Sequence, residues 1–415
     1  MNIWIVNHYA VSPKQAGGTR HFSFAKALTK RGHDVTLFLS RSQSAGENGS
    51  GKPWSIEFVD GVRLISLRTP SYWGNSSGRI KNMLVFAGRF WSGRCFEGLA
   101  TPDVILGSSP HPFAALAAER VAVRFEVPFV LEVRDLWPLS LIEVAKVSPR
   151  HPLPKLLGVI EKYLYRRATR IVSLPEHAAR HMVEKGANPE KIVWISNGVD
   201  LSYIPDPPPA KPNGRFTVMY AGAHGIANSL DSILNAALVL QSQHPGHDLW
   251  FRFLGEGTQK ERLKRRVEQE GIRNVSFEPA LPKAQIYDKL LEADLFVAPA
   301  QNLPLYDFGI SFNKLFDYMA AARPIVFGAP FSNAAVEAGA AIAVNGDSPE
   351  ELAGAILKMR QMPVAQRWEM GQRGRQHVET HYSFELLSTK LERTLTESIT
   401  KFHLLNSIER AYVSQ

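Results

Sequence analysis

The run Ile204-Pro-Asp-Pro-Pro-Pro-Ala-Lys-Pro-Asn-Gly214 constrains this chain more than any other segment. Proline fixes φ and removes a backbone donor, so proline at this density admits neither helix nor strand. The segment 205–214 reads as an inter-domain linker, and the same pattern recurs on both sides of it. Before it, strands are expected at Asn2–Asn7, Val35–Leu39, Val62–Leu67, Val104–Leu106, Phe129–Val133, Arg170–Leu174 and Ile192–Ile195. Helical stretches lie between them, such as Thr19–Arg31, where Phe22, Ala25 and Leu28 share a face. After it, strands are expected at Phe216–Tyr220, Leu249–Leu254, Val275–Phe277, Leu295–Ala298 and Pro324–Phe327. Such alternation is the pattern of parallel α/β sheets. Two doubly wound, Rossmann-like domains are expected, 1–204 and 215–383, facing across a cleft at the carboxyl ends of their sheets. A last helical stretch, 384–402, spaces Leu386, Leu387, Leu391 and Leu395 for one buried face and is a candidate to pack back on the first domain.

A length of 415 residues suits two such domains. The opening MNIWIVNHYA reads as a strand, lacking the basic start and long apolar run of a signal peptide. No stretch approaches ~18 uninterrupted apolar residues. One cysteine, Cys95, makes neither an internal disulfide nor a thiolate metal cluster, which fits a reducing cytoplasm. The net charge of +9 points to nucleic acid, an anionic membrane surface or phosphorylated small molecules. No helix-turn-helix, zinc-finger or RNA-recognition signature supports the first of these.

Phosphate chemistry has several candidate positions. Gly17-Gly18 follows the first strand and opens a helix, where amides and a helix N-terminus favour an anion. Tyr220-Ala-Gly222-Ala-His224-Gly225 repeats this arrangement after the first strand beyond the linker, and an exposed loop role for His224 is the alternative. Two such turns would suit a diphosphate held between the domains. In the segment 307–324, a helix from about Ser311 to Ala322 places Asn313 and Lys314 in its first turn and Asp317 one turn later. A lysine there can contact phosphate, and the carboxylate can accept two ribose hydroxyls; a surface ion pair is the plainer reading. No Asp-x-Asp occurs, so a metal-bridged diphosphate is not expected and no cofactor is assigned. His177 and His181 sit four apart with no third ligand at helical spacing, and read as a surface pair.

The 307–324 segment resembles the signature of glycosyltransferase family 4, the retaining transferases of GT-B fold. There, two acidic residues separated by seven others precede a helix that ends in Gly-x-Pro. Asp317 matches the second acid, which in the family holds the nucleotide ribose; Gly309 stands at the first, and Ala322 at the helix-ending glycine. Asn197-Gly-Val-Asp200 and Leu254-Gly-Glu-Gly257 are similar to further family elements. Arg134-Asp135-Leu-Trp137-Pro138 and the Tyr-Ala-Gly-x-His-Gly turn resemble a subgroup that transfers N-acetylated amino sugars, L-fucosamine among them, in bacterial surface polysaccharides.

The resemblance implies a UDP-sugar donor and retaining transfer to a hydroxyl of a lipid-linked glycan, as in O-antigen or capsule synthesis. Arg134, Asp135 and Trp137 would stand on the acceptor side. Asp135 would orient the acceptor hydroxyl, and Lys314 would meet the departing phosphate. Trp73, Arg89, Trp91 and Arg94 mix aromatics with cations and suit a membrane headgroup layer, which would place the protein on the cytoplasmic face of the plasma membrane. An ordinary amphipathic helix packed on the sheet is the alternative. The competing functions are a GT-B epimerase or phosphorylase, the latter calling for a pyridoxal-phosphate lysine in a far larger chain, a dinucleotide dehydrogenase, which the spacing after the first strand disfavours, and a binding scaffold impaired at Gly309.

Overall fold

The computed structural model describes residues 1–42, 52–72, 77–208, 214–246, 248–309 and 311–413. They form two compact units, one of 1–12, 18–196 and 384–415, the other of 13–17 and 197–383. Trp73 and residues 209–213 of the proline run lie outside the described residues.

The first unit is built on an eight-stranded sheet. Its strands are β1 (Asn2–Val6), β2 (Asp34–Ser42), β3 (Trp54–Val59), β4 (Val62–Thr69), β5 (Val104–Ser108), β6 (Phe129–Val133), β7 (Arg170–Ser173) and β8 (Ile192–Trp194). Their order is β3-β4-β2-β1-β5-β6-β7-β8, parallel except for β3, which runs antiparallel to β4. The chain therefore turns back between β1 and β5, the switch point where open parallel sheets bind ligands beyond their carboxyl ends. Phe22, Ala25 and Leu28 of the helix Arg20–Lys30 are fully buried there. The helix Phe384–Val413 seats Phe384, Leu387, Leu391 and Leu395 in the same core, with Phe384 edge-on to Phe24 at 5.1 Å, whereas Leu386, one position off that face, is exposed and not buried as expected. Residues four apart on a helix share one face, which is why this leucine series is buried together.

β3 was not expected from the sequence. It pairs with β4 across a two-residue turn, Asp60-Gly61, in which both residues have positive φ (49° and 80°). That is the chemistry of a tight hairpin, and Asp-Gly between β-rich runs is its signal.

The second unit carries β9 (Phe216–Ala221), β10 (Leu249–Leu254), β11 (Val275–Glu278), β12 (Leu295–Pro299), β13 (Ile325–Gly328) and β14 (Ala341–Ala343). Their order is β11-β10-β9-β12-β13-β14 and all pairs are parallel, so the switch point falls between β9 and β12. The helix Asn313–Ala320 runs from the carboxyl side of that sheet. Phe296 and Tyr318 stack at 4.0 Å, and the Tyr318 hydroxyl both accepts from Ala221 N and donates to Ala221 O at 2.8 Å. This pins the helix to the end of β9.

Candidate functional site

In the second unit, that pin sets Lys314 against the turn after β9. A Cβ on Gly222 would crowd Tyr220 Oη at 3.0 Å and meet Lys314 Cε in ordinary contact at 3.6 Å, so the lysine stem lies beside this turn. Lys314 Nζ donates to Asn228 Oδ1 at 2.6 Å and Tyr220 Oη at 3.1 Å, and lies over the Tyr220 and Phe312 rings at 4.7 and 5.4 Å. Burial lowers its pKa to about 7. No carboxylate pairs with it among the described residues. Gly222, Gly225 (through the Ile226–Asn228 turn it opens) and Lys314 are thus brought together, with Asn313 beside them as the first residue of the helix. Sequence reasoning missed Asn228.

The turn itself differs from the expected anion cradle. Gly222 N donates to Leu254 O and His224 N to Glu256 O, so these two amides are committed within the unit. The His224 ring is fully buried, with both nitrogens unpartnered, edge-on to Phe253 and Phe277. Burial pushes its pKa down to about 4, so it is a neutral core ring and not a loop residue facing solvent. The Leu254–Gly257 turn makes this close approach possible. A Cβ on Gly255, where φ is +148°, would lie 1.9 Å from Gly222 O.

Asp317, one turn beyond Lys314, meets two residues that sequence reasoning also missed. Lys283 Nζ donates to both carboxylate oxygens at 2.5 Å, and the Tyr287 hydroxyl donates to Oδ1 at 2.8 Å. The signal was a lysine and a tyrosine four apart on the helix Lys283–Leu290, but their partner lies thirty residues away in sequence. Gly309 has φ of +100° and its amide donates to Tyr306 O at 3.0 Å, and the Tyr306 ring is edge-on to Phe312 at 5.7 Å and to Phe331 at 6.0 Å. Asp307 beside it is exposed.

Gly17 and Gly18 are divided between the units. Pro13–Gly17 packs with the second unit, where Gln15 O and Pro13 O accept from Lys283 N and Ala284 N. Gly17 is exposed with φ of +139°, and Gly18 continues into the first unit toward Arg20.

At the first unit's switch point a buried polar cluster sits at the carboxyl ends of β1, β5 and β6. Glu132 accepts from Arg20 Nε at 2.8 Å, lies 2.6 Å from His21 Nε2 and accepts from Ser108 Oγ at 2.5 Å. Burial alone would raise its carboxyl, yet Arg20 and His21 hold it well below the usual range. His8 contacts Asn82 Oδ1 at 2.5 Å and faces His111 at 4.8 Å. Both are buried and held neutral, and neither His111 nitrogen has a partner. Past β6, Arg134 N donates to Ser109 Oγ, Asp135 is exposed with Arg134 and Arg79 as charged neighbours, and Trp137 is half-buried. His177 precedes its helix, and His181 is buried against Glu161 at 3.1 Å, so the two are not a surface pair.

The aromatic-basic stretch is split. Phe86 and Phe90 on the helix Ser77–Ser92 are core residues, and Arg89 donates to the Arg68 carbonyl. On the opposite side Ile80, Leu84 and Trp91 (39%, 50% and 60% exposed) share one helical face, with Lys81 and Arg94 exposed nearby. Ile56 and Phe58 of β3 are exposed as well. A cavity of about 360 Å³ lies between β3, β4 and this helix, lined by Trp54, Leu67, Arg89 and Arg94. Among the described residues no helix is long and apolar enough to cross a membrane.

Two families of known proteins account for most of the chain. Residues 17–198 match the Glycosyl transferase 4-like domain and residues 215–361 the Glycosyl transferases group 1 domain. WcaI of Escherichia coli K12, which carries the name of a colanic acid biosynthesis glycosyl transferase, is 23% identical over 63% of this chain and 67% of its own length. The sucrose-phosphate synthase of Thermosynechococcus elongatus has the same fold, with a TM-score of 0.74 at 14% identity over 96% of this chain and 99% of its own. HepE of Anabaena, solved with UDP and glucose, gives 0.68 at 13% identity over 96% and 100%.

Proposed function

We propose that this chain, which carries the two glycosyltransferase domains in a GT-B fold, uses a UDP-sugar donor and transfers an N-acetylated amino sugar with retention to a hydroxyl of a lipid-linked glycan. The observation that carries the reading is Lys314: a half-buried cation with no carboxylate partner among the described residues, set beside Gly222 at the carboxyl edge of a parallel sheet. Such a charge is costly unless an anion completes it, and a diphosphate does so. Asp317 is assigned to the ribose, and Gly17, Gly18, Gly222, Gly225 and Asn313 to the donor side. The segment that carries Gly309 in place of an acid also carries Tyr306 and Phe312, whose rings meet each other while Tyr306 meets Phe331, and apolar rings suit an acetamido methyl better than an array of hydroxyls.

In the transfer, the bond from the anomeric carbon to phosphate breaks as the acceptor oxygen bonds on the same face, and the acceptor proton passes to the departing phosphate. Lys314 stabilises the charge growing on that phosphate. Asp135 and Arg134 belong to acceptor handling, with Asp135 orienting the hydroxyl. The exposed face of Ile80, Leu84 and Trp91 with Lys81 and Arg94 is assigned to an anionic membrane surface.

Thermal shifts with UDP, GDP and NAD, followed by a transfer screen over UDP-N-acetylamino sugars, test the donor assignment. Stabilisation by UDP and turnover of an acetamido donor are expected; stabilisation by NAD or GDP alone would sink it. UDP binding without any turnover would favour the impaired scaffold, for which Gly309 is the supporting residue. For the membrane assignment, sedimentation with anionic but not neutral vesicles should be lost on Leu84→Asn, Trp91→Ser and Arg94→Ser together. Transfer to a short water-soluble acceptor should persist in that variant.

A further inference from the structure

Asp317 is not a free carboxylate. A carboxylate offers about four lone-pair positions. Lys283 bridges both oxygens and the Tyr287 hydroxyl takes another position on Oδ1, so three are used. One remains, and a ribose presenting two hydroxyl donors needs two. Tyr287 is not the partner that yields: it is 1% exposed, and burial beside Asp317 keeps its hydroxyl protonated and donating. Nor does Asp317 move away, since the neighbouring Tyr318 pins its helix to Ala221. Lys283 is the mobile member. Its backbone amide is held by Gln15 O, but its ammonium rides on a flexible four-carbon stem.

An ammonium drawn off Asp317 needs another anion. A nucleoside brings no negative charge, whereas a nucleotide brings its phosphate next to the ribose. Resting on the UDP-sugar reading above, we infer that Lys283 competes with the ribose for Asp317 and, once displaced, pairs with the phosphate nearest the ribose, so that the site selects nucleotides over bare nucleosides. Lys283 is then a specificity residue distinct from Lys314, and the exchange costs a nucleoside affinity that a nucleotide recovers.

The test compares uridine and UMP, by calorimetry or by competition against labelled UDP, on the full chain. Lys283→Met should bind uridine about 3- to 10-fold more tightly and UMP about 10-fold more weakly than the unmodified protein. The preference for UMP over uridine therefore falls about 30- to 100-fold. Lys283→Arg, which keeps the charge, should retain that preference, and Lys283→Gln guards against a fault peculiar to methionine. Unchanged thermal unfolding of the variants establishes that they fold. Uridine binding no tighter in Lys283→Met and Lys283→Gln, or both ligands weakened by one common factor, overturns the inference. If the unmodified protein binds UDP while the preference is unaltered in the variants, only this inference falls. If it binds neither UDP nor UMP, the UDP-sugar reading falls and carries this one with it.

Discussion

Lys314 makes donor binding depend on pH in a direction that can be worked out beforehand. Burial holds its pKa at about 7, against the usual lysine value of 10.5. About half of the ligand-free protein is then charged at this position at pH 7. A diphosphate binds the charged form, so binding above pH 7 takes up a proton. The dissociation constant grows in proportion to 1 + 10^(pH − 7), roughly fifty-fold between pH 7 and pH 9. Folding responds in the opposite sense. The folded pKa is depressed, so between about pH 7 and 10.5 the unfolded chain holds more protons than the folded one. The ligand-free fold therefore gains stability through that window, roughly 2 kcal/mol by pH 9 from this residue, while below pH 7 the burial penalty is fully present. Calorimetry with UDP at pH 7, 8 and 9, in two buffers of unlike ionisation enthalpy, reads both the affinity and the proton. Uptake of about half a proton at pH 7 and nine-tenths at pH 8 is expected, with Lys314→Met weak and flat across the range. A flat dissociation constant in the unmodified protein, or a Lys314→Met variant that keeps the slope, would refute the reasoning.

Three further outcomes are expected. Transfer should survive excess EDTA; complete loss that magnesium or manganese restores would show that a cation holds the diphosphate. Glu132→Gln leaves buried Arg20 without its charge partner and should cost the first unit about 3–5 kcal/mol in urea unfolding; a change below ~1 kcal/mol would mean that the cluster relaxes around the amide. Gly255→Ala forces a methyl into Gly222 O and should weaken UDP at least tenfold while leaving the Glu132 cluster's unfolding midpoint in place, and unaltered UDP affinity would show that the β9 turn does not shape the site.

Most of both sheets was legible in the sequence because twelve of the strands are short apolar runs bounded by turn residues, whereas the three-residue β14 went unexpected, and the leucine series of the last helix announced its buried face except at Leu386. The hairpin strand β3 was missed because its residues are mostly exposed, so apolar content alone does not mark it; Asp60-Gly61 did. Lys314 and Asp317 stood out because they share a helix. What each touches did not: Asn228, Lys283 and Tyr287 arrive through the order of β9, β11 and β12, which spacing does not encode. His224 misled because a polar residue in a glycine turn reads as exposed, and only the packing of the Leu254–Gly257 loop turns its ring into the core. Likewise the aromatic-basic helix mixed core rings with surface ones, and only the fold separates Phe86 from Trp91.

The first unit is drawn from separated stretches, its last piece beginning at Phe384, after the second unit's main stretch of 197–383. On the ribosome this fixes an order of completion. By the time β8 has emerged, the first sheet is present, yet the seats of Phe384, Leu387, Leu391 and Leu395 stay uncovered until 197–383 has been made. At ~5–20 residues per second that interval lasts roughly ten to forty seconds. Throughout it Phe24 and its neighbours present an apolar groove, while the second unit's main stretch, contiguous in sequence, can close its own core. A segment made only after the second unit's main stretch thus decides whether the first unit is finished or left as a target for chaperones and proteases.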